Sequence, residues 1–360
     1  MKNFGNIKVC VIGALAAGTG TIASFAYAQS SVTMYGIADG GMGYTTNATN
    51  TNDQNHSAVH MVSGGQANDR WGLKGTEDLG GGLKTVFQLE NGFSLATGAL
   101  QQGGRIFGRQ AFVGIKSPYG AFTFGRQKVP LFDFFYDLDP LTYSNWSLSV
   151  YDSQFANRAD NSVKYMGHAG PLTFDLLYSA GYDTTVVDTT GVSIDSRVGQ
   201  EISGGILYSA GTALAALVYD MRHGATMATK GNTEQRLAFG ASYEFTPSVK
   251  GYGGYRWFNS SVPTTAGRSD MYYGGVQFRV SQALFITGAV YYTNIKSAKQ
   301  HPVAFGIQSK YYLSKVTSLY TQVSYAKNSN GSNLGVAGYG TGVVAGKNQT
   351  GIEIGVMHQF

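Results

Sequence analysis

The sequence predicts an all-β protein, one antiparallel barrel whose strands cross a membrane. Three observations lead to this class. Apolar and polar residues alternate with period two almost throughout the chain after residue 29. The connections between these segments are short and long by turns. No later stretch approaches the roughly 18 consecutive apolar residues that mark a spanning helix.

Composition agrees. Charged residues make up 13% of the 360, against about 25% in soluble domains. There are 50 Gly, 24 Tyr and 20 Phe, but only 7 Pro and one Cys. Low charge with many aromatics opposes disorder. So many glycines oppose a helical bundle, because each costs about 1 kcal/mol inside a helix.

Residues 1–28 read as a secretory signal. Lys2 and Lys8 give a positive start, residues 9–17 are apolar, and Ala26-Tyr27-Ala28 is a small-x-small cleavage site ahead of Gln29. The apolar run is short of the ~20 residues of a membrane anchor. Cys10 leaves with the signal, so the mature chain, 29–360, has no disulfide and no thiolate chemistry. Without Lys2 and Lys8 the 26 basic residues become 24, against 21 acidic, a net charge of +3. That mild excess and the export signal give no case for a nucleic-acid partner.

About sixteen strands follow, near 31–43, 69–77, 83–93, 105–116, 120–127, 160–166, 172–180, 201–209, 212–220, 234–245, 249–258, 270–280, 283–293, 304–313, 316–327 and 349–360. The clearest is 234–245. Gln235, Leu237, Phe239, Ala241, Tyr243 and Phe245 share one face, and Glu234, Arg236, Ala238, Gly240, Ser242 and Glu244 share the other. Short turns include Ser117-Pro118-Tyr119-Gly120 and Thr246-Pro247-Ser248. Long loops are expected at 44–68, 94–104, 128–159, 181–200, 221–233, 259–269, 294–303 and 328–348. Pro118, Pro171 and Pro247 fall in short turns and Pro130, Pro140, Pro263 and Pro302 in long loops, so none deletes a ladder hydrogen bond. Aromatics stand at segment ends, as in Tyr35, Trp71, Phe93, Tyr178, Tyr208, Trp257, Tyr292, Tyr325 and Phe360, the placement of an interfacial girdle. Period two alone also suits a soluble sandwich with its apolar faces together; the end-placed aromatics, the signal and the terminal Phe360 favour a membrane barrel, with the apolar face on lipid and the polar face on a wet lumen.

Particular blocks carry a family resemblance. Ser30-Ser31-Val32-Thr33-Met34-Tyr35-Gly36, the run from Arg70-Trp71-Gly72 to Gly82-Leu83-Lys84, Gly108-Arg109-Gln110-Ala111-Phe112-Val113-Gly114, Phe124-Gly125-Arg126-Gln127 and the terminal Phe360 resemble the general, non-specific outer-membrane porins of the Gram-negative β-proteobacterial type. The resemblance spans the mature chain. It implies a 16-stranded homotrimer in the outer membrane, with short periplasmic turns, long extracellular loops and a third loop folded into the lumen. It also implies a water-filled channel for passive diffusion of small hydrophilic solutes and ions, with no cofactor. The barrel-insertion machinery would read the last strand through Phe360. The third loop, 128–140, lacks the Pro-Glu-Phe-Gly-Gly segment of enterobacterial porins, which leaves its path open.

Strand phase nominates the pore-lining charges. Arg70, Lys74, Lys84, Glu90 and Lys164 fall on polar faces, and Arg158 continues the phase of Lys164. A charge on lipid at mid-bilayer would cost about 2–4 kcal/mol. The resemblance places a basic cluster opposite the loop, and Arg70 and Arg158 match such positions. Arg109 and Arg126 fall in the lipid phase, so either a bulge re-aims them or they sit at the rim or in a subunit contact. Asp133, Asp137 and Asp139 of the third loop face the basic wall or brace the loop itself. Phe132, Phe134, Phe135 and Tyr136 are expected to pack against the wall. The basic cluster and the net charge lean toward anions.

Catalysis has no support. There is no G-x-S-x-G and no H-E-x-x-H, and His56, His60, His168, His223, His301 and His358 are scattered, so neither a catalytic residue nor a metal is expected. A substrate-specific channel, needing a line of aromatics or a dedicated cluster in the lumen, is the alternative.

Overall fold

A computed structural model describes residues 31–49, 54–183, 195–340 and 342–360. The signal segment 1–28 lies outside them. The chain is a meander of antiparallel strands closed on itself: β1 Ser31–Thr49, β2 Gln54–Ser63, β3 Arg70–Gly80, β4 Leu83–Gly92, β5 Gln110–Ser117, β6 Gly120–Lys128, β7 Arg158–Ala169, β8 Leu172–Ser179, β9 Glu201–Ala210, β10 Ala213–His223, β11 Thr233–Thr246, β12 Val249–Ser260, β13 Gly267–Arg279, β14 Leu284–Ile295, β15 Val303–Tyr312, β16 Thr317–Lys327, β17 Leu334–Gly335, β18 Gly338–Tyr339 and β19 Gln349–Gln359. β2 and β3 are successive halves of one wall strand, both paired with β1, and β17 and β18 form a small hairpin in the last loop. The wall therefore has sixteen strands. It closes where β19 pairs with both β16 and β1.

Side-chain alternation sets the two surfaces. Ile202, Ile206, Leu217, Tyr219, Leu237 and Phe239 are exposed, while Ser203, Val218, Ala238 and Arg236 between them are buried. So wide an exposed apolar band suits only a lipid surround. Among the described residues no helix is long and apolar enough to cross a membrane.

The first and last strands meet at residue level. Gly36 N–H donates to the Phe360 carbonyl at 2.9 Å, and Phe360 N–H returns the bond at 3.1 Å. The Phe360 ring lies over Gly36, where any Cβ would strike it.

The wall departs from the sequence-based expectation in three places. The long loop expected at 44–68 is largely strand, since β1 runs on to Thr49 and pairs with β2. Met42, Tyr44, Val59 and Met61 give this hairpin a short exposed apolar face, Met42 opposite Met61 and Tyr44 opposite Val59, but the Thr- and Asn-rich residues 45–57 between them mask the alternation. The chain then leaves the wall at 64–69, fixed by Asp39, whose carboxylate accepts from Gln66 N–H and Ala67 N–H at 2.7 Å each and from the Tyr320 hydroxyl at 2.7 Å. β5 begins at Gln110 and not at 105. Tyr35 belongs to no girdle: it turns inward and donates to Glu90 at 2.8 Å.

Candidate functional site in the barrel lumen

The third loop, 129–157, folds into the barrel. It carries the short helix α1 Pro130–Phe135, with Pro at its first turn, and two 3₁₀ turns, Leu148–Val150 and Ser153–Ala156. Leu131, Phe132, Phe134, Phe135, Leu138, Leu141 and Trp146 are buried. Phe134 and Phe135 pack on the wall as expected, whereas Phe132 and Tyr136 stack on Tyr143 of the same loop at 4.8 and 5.1 Å between ring centroids.

A row of lumen-facing glycines makes this seating possible. A Cβ on Gly205 would lie 3.1 Å from Phe134, on Gly240 2.8 Å from Phe135, on Gly275 2.5 Å from Pro140, on Gly306 2.7 Å from Leu141 and on Gly351 2.8 Å from Trp146. These glycines come from β9, β11, β13, β15 and β19. They form a trough along the far wall, and the loop's apolar side fills it.

Asp139 locks the loop's shape. Its buried carboxylate accepts from Leu148 N–H at 3.0 Å, Leu141 N–H at 3.2 Å and the Tyr291 hydroxyl at 2.8 Å. Burial pushes this carboxyl up from its ordinary range, against the pull of those bonds. Asp139 is thus a brace inside the loop, which corrects the expectation that it lines the pore. Asp133 pairs with Lys164 of β7, which also reaches Asp175 of β8 at 2.9 Å. Asp137 is exposed.

Opposite the seated side, β3–β7 gather a basic cluster. Arg109 Nε donates to Glu90 Oε1 at 2.7 Å and is 1% exposed. Arg126 donates to Asp160 Oδ1 at 2.6 Å and to the Gly108 carbonyl at 2.7 Å. Arg158 is buried, lies over the Phe132 ring at 4.9 Å and donates to the Ala156 carbonyl at 2.9 Å. Lys128 lies over the same ring at 4.8 Å. Arg70 opens β3 opposite Gly92, two residues beyond Glu90. Among the described residues Arg70 and Arg158 have no carboxylate at ion-pair distance.

Two backbone irregularities bring Arg109 and Arg126 inward. Arg109 precedes the first residue of β5, so the strand's phase does not bind it. At Arg126 the β6–β7 register shifts: Gly125 pairs with Ser162 but Gln127 with Ala159, so Asp160 and Asn161 face Arg126 together. Asn161 takes φ +47° and Gly125 φ +130° to make this bulge. Of the remaining nominees, Lys74 is exposed on the lumen side opposite Gln88. Lys84 lies near the short turn after β3, 3.7 Å from Asp78 and half exposed, away from the level of the loop.

A second network was not nominated from sequence. Asp152 in the loop meets Arg236 at 2.9 Å and Arg256 at 3.3 Å, while Glu234 holds Arg222 at 2.5 Å and Arg236 at 3.2 Å. Gln154 bridges Glu201 at 2.7 Å and Asp220 at 3.1 Å. Burial would raise the Asp152 carboxyl, but the two guanidiniums outweigh it and hold it below the ordinary value. The phase of 234–245 already placed Glu234 and Arg236 inward; the loop's partner acid was not readable.

A closed antiparallel barrel of this kind is found in known proteins. Residues 14–331 match the family described as Gram-negative porin. An outer membrane porin protein of Bordetella pertussis is 30% identical, over 98% of this chain and 100% of that protein. The chain belongs to the Gram-negative porin family. Outer membrane porin protein 32 of Delftia acidovorans is 29% identical, over 93% of this chain and 95% of its own. An anion-selective porin from Comamonas acidovorans superimposes with a TM-score of 0.77 at 25% identity, over 92% of this porin and 100% of that chain. The outer-membrane expressed OmpT of Vibrio cholerae shares the fold alone, with a TM-score of 0.66 at 12% identity, covering 92% and 98%. This porin is therefore an outer-membrane channel for passive diffusion, of a family whose members are channels.

Proposed function

We propose that this porin is a homotrimer whose passage favours small anions, with Arg70, Arg109, Arg126, Arg158 and Lys128 setting the preference. The observation that carries this reading is the imbalance on one wall. These five cations gather around Glu90 and Asp160, and Arg158 has no acid at ion-pair distance among the described residues. Cations held in a low-dielectric wall beside a narrow aqueous path project their field into it and raise the local anion concentration. Asp133 and Asp137 moderate that field from the loop side, Glu90 offsets it within the cluster, and Lys164, Lys74 and Lys84 carry the lining toward the periplasmic end. The similarity to a porin described as anion-selective supports the same direction. A solved trimer form of the Vibrio cholerae OmpT supports the assembly, and exposed Met34, Phe122 and Phe124 give the exterior apolar surface it needs. Export through a signal at 1–28 and reading of Phe360 by the insertion machinery belong to the same proposal.

The reversal potential of the purified channel in a potassium chloride gradient tests it. Arg158→Gln should lower the chloride-to-potassium permeability ratio several-fold. Asp160→Asn, which takes a carboxylate partner from both Arg105 and Arg126, should raise it. A cation-selective wild-type channel, or two variants that shift together, would overturn the assignment.

A further inference from the structure

Between α1 and the wall of β3–β7, on the periplasmic side of the basic cluster, lies a cavity of about 470 Å³ open to the lumen. That size is within the ~300–1,000 Å³ of small-molecule sites. Its floor is unexpected for a wet passage. Val86 of β4, Phe112 of β5 and Met166 of β7 all line it. They are on the lumen phase: Val86 stands opposite Thr76, Phe112 opposite Gln88, and Met166 opposite Ala121. A diffusion path for ions alone has no use for this strip, and leaving it wet forgoes the gain of covering it.

The edge of the cavity is cationic and amide-bearing. Lys74 lines it without an ion-pair partner among the described residues, its ammonium 5.2 Å from the Tyr35 ring. Lys128 closes the end toward the arginines. Gln88 and Gln110 add amides between them. Of the acids, only Asp133 lines the cavity, and it is held by Lys164, which offsets its charge.

We propose that this cavity is a way-station for aromatic monocarboxylates. The ring lies on Phe112, Val86 and Met166, and the carboxylate is held by Lys74 or Lys128 with amide donors beside it. A purely hydrophilic anion gains nothing from the floor, and a neutral aromatic gains nothing from the edge. The proposal rests on the anion preference above and goes further, because it makes the channel discriminate among anions of equal charge.

The test uses single channels of the whole protein in a planar bilayer carrying a chloride current, with benzoate or acetate added. Benzoate should reduce the current saturably with half-effect in the millimolar range, and acetate at equal concentration should not. Phe112→Ala should raise the half-blocking benzoate concentration about ten-fold while leaving chloride conductance in place. Lys74→Gln should raise it several-fold. Val86→Thr, which keeps the shape and strand preference, gives the same reading of the floor should Phe112→Ala fail to assemble. Equal effects of benzoate and acetate, or block unmoved by the floor variants, would overturn the way-station. The chloride reversal potential in the same recordings reports the anion preference separately, so a channel that is anion-selective but blind to the ring refutes only this inference.

Discussion

At the scale of single residues, the lumen is governed by which charges are paired. Arg109 and Arg126 are neutralised locally by Glu90 and Asp160, whereas Arg158 rests on Phe132 and a backbone carbonyl. Asp152 is a different kind of residue, an acid that ties the loop to the arginines of β11 and β12. Its carboxyl is held below the ordinary value of about 3.9. A group depressed in the folded state stabilises it fully above the unfolded value, and the stabilisation is lost as pH falls through the folded value. Thermal unfolding followed from neutral pH into acid should therefore show a decline to which Asp152→Asn is less sensitive. At neutral pH that variant should be about 1.5–3 kcal/mol less stable. Equal stability of variant and wild type at neutral pH would show that the loop does not depend on this tie.

At the scale of elements, the third loop is positioned by apolar seating more than by charge. Its Phe135, Pro140, Leu141 and Trp146 occupy spaces that only glycine leaves on the wall. Gly275→Ala places a Cβ 2.5 Å from the Pro140 ring and 2.8 Å from the Gly288 carbonyl, neither of which yields easily. It should cost about 1–3 kcal/mol and change the single-channel conductance by displacing the loop. Gly288→Ala, which meets nothing within 4 Å, is the matched control and should leave both unchanged. The strands themselves were legible because period two is a local signal. The same signal gave the inward phase of Arg70, Lys74, Glu90 and Lys164. It left Arg109 and Arg126 open between a re-aiming bulge, the rim and a subunit contact, because a strand start at Gln110 and a bulge at Asn161 break the alternation without a mark in the residue pattern. Asp139 and Asp133 could not be told apart, since only the loop's path decides which of two acids six residues apart looks inward.

At the scale of the whole molecule, closure does what a hydrophobic core does elsewhere. Among the described residues the sheet closes on itself through β1 and β19, so it has no end strand left open to lipid. The seam at Gly36 and Phe360 completes this ring with two hydrogen bonds and a ring packed over a glycine. The lumen side is then divided between a seated loop on β9–β19 and a basic wall on β3–β7, which leaves a wet path between them. That path is the central claim, and single-channel recording of the refolded mature protein in a planar bilayer tests it most directly. An open porin gives large, ohmic steps, arriving in threes for a trimer. Protein that is folded and heat-modifiable yet passes no current would contradict the account and mean that the third loop plugs the barrel.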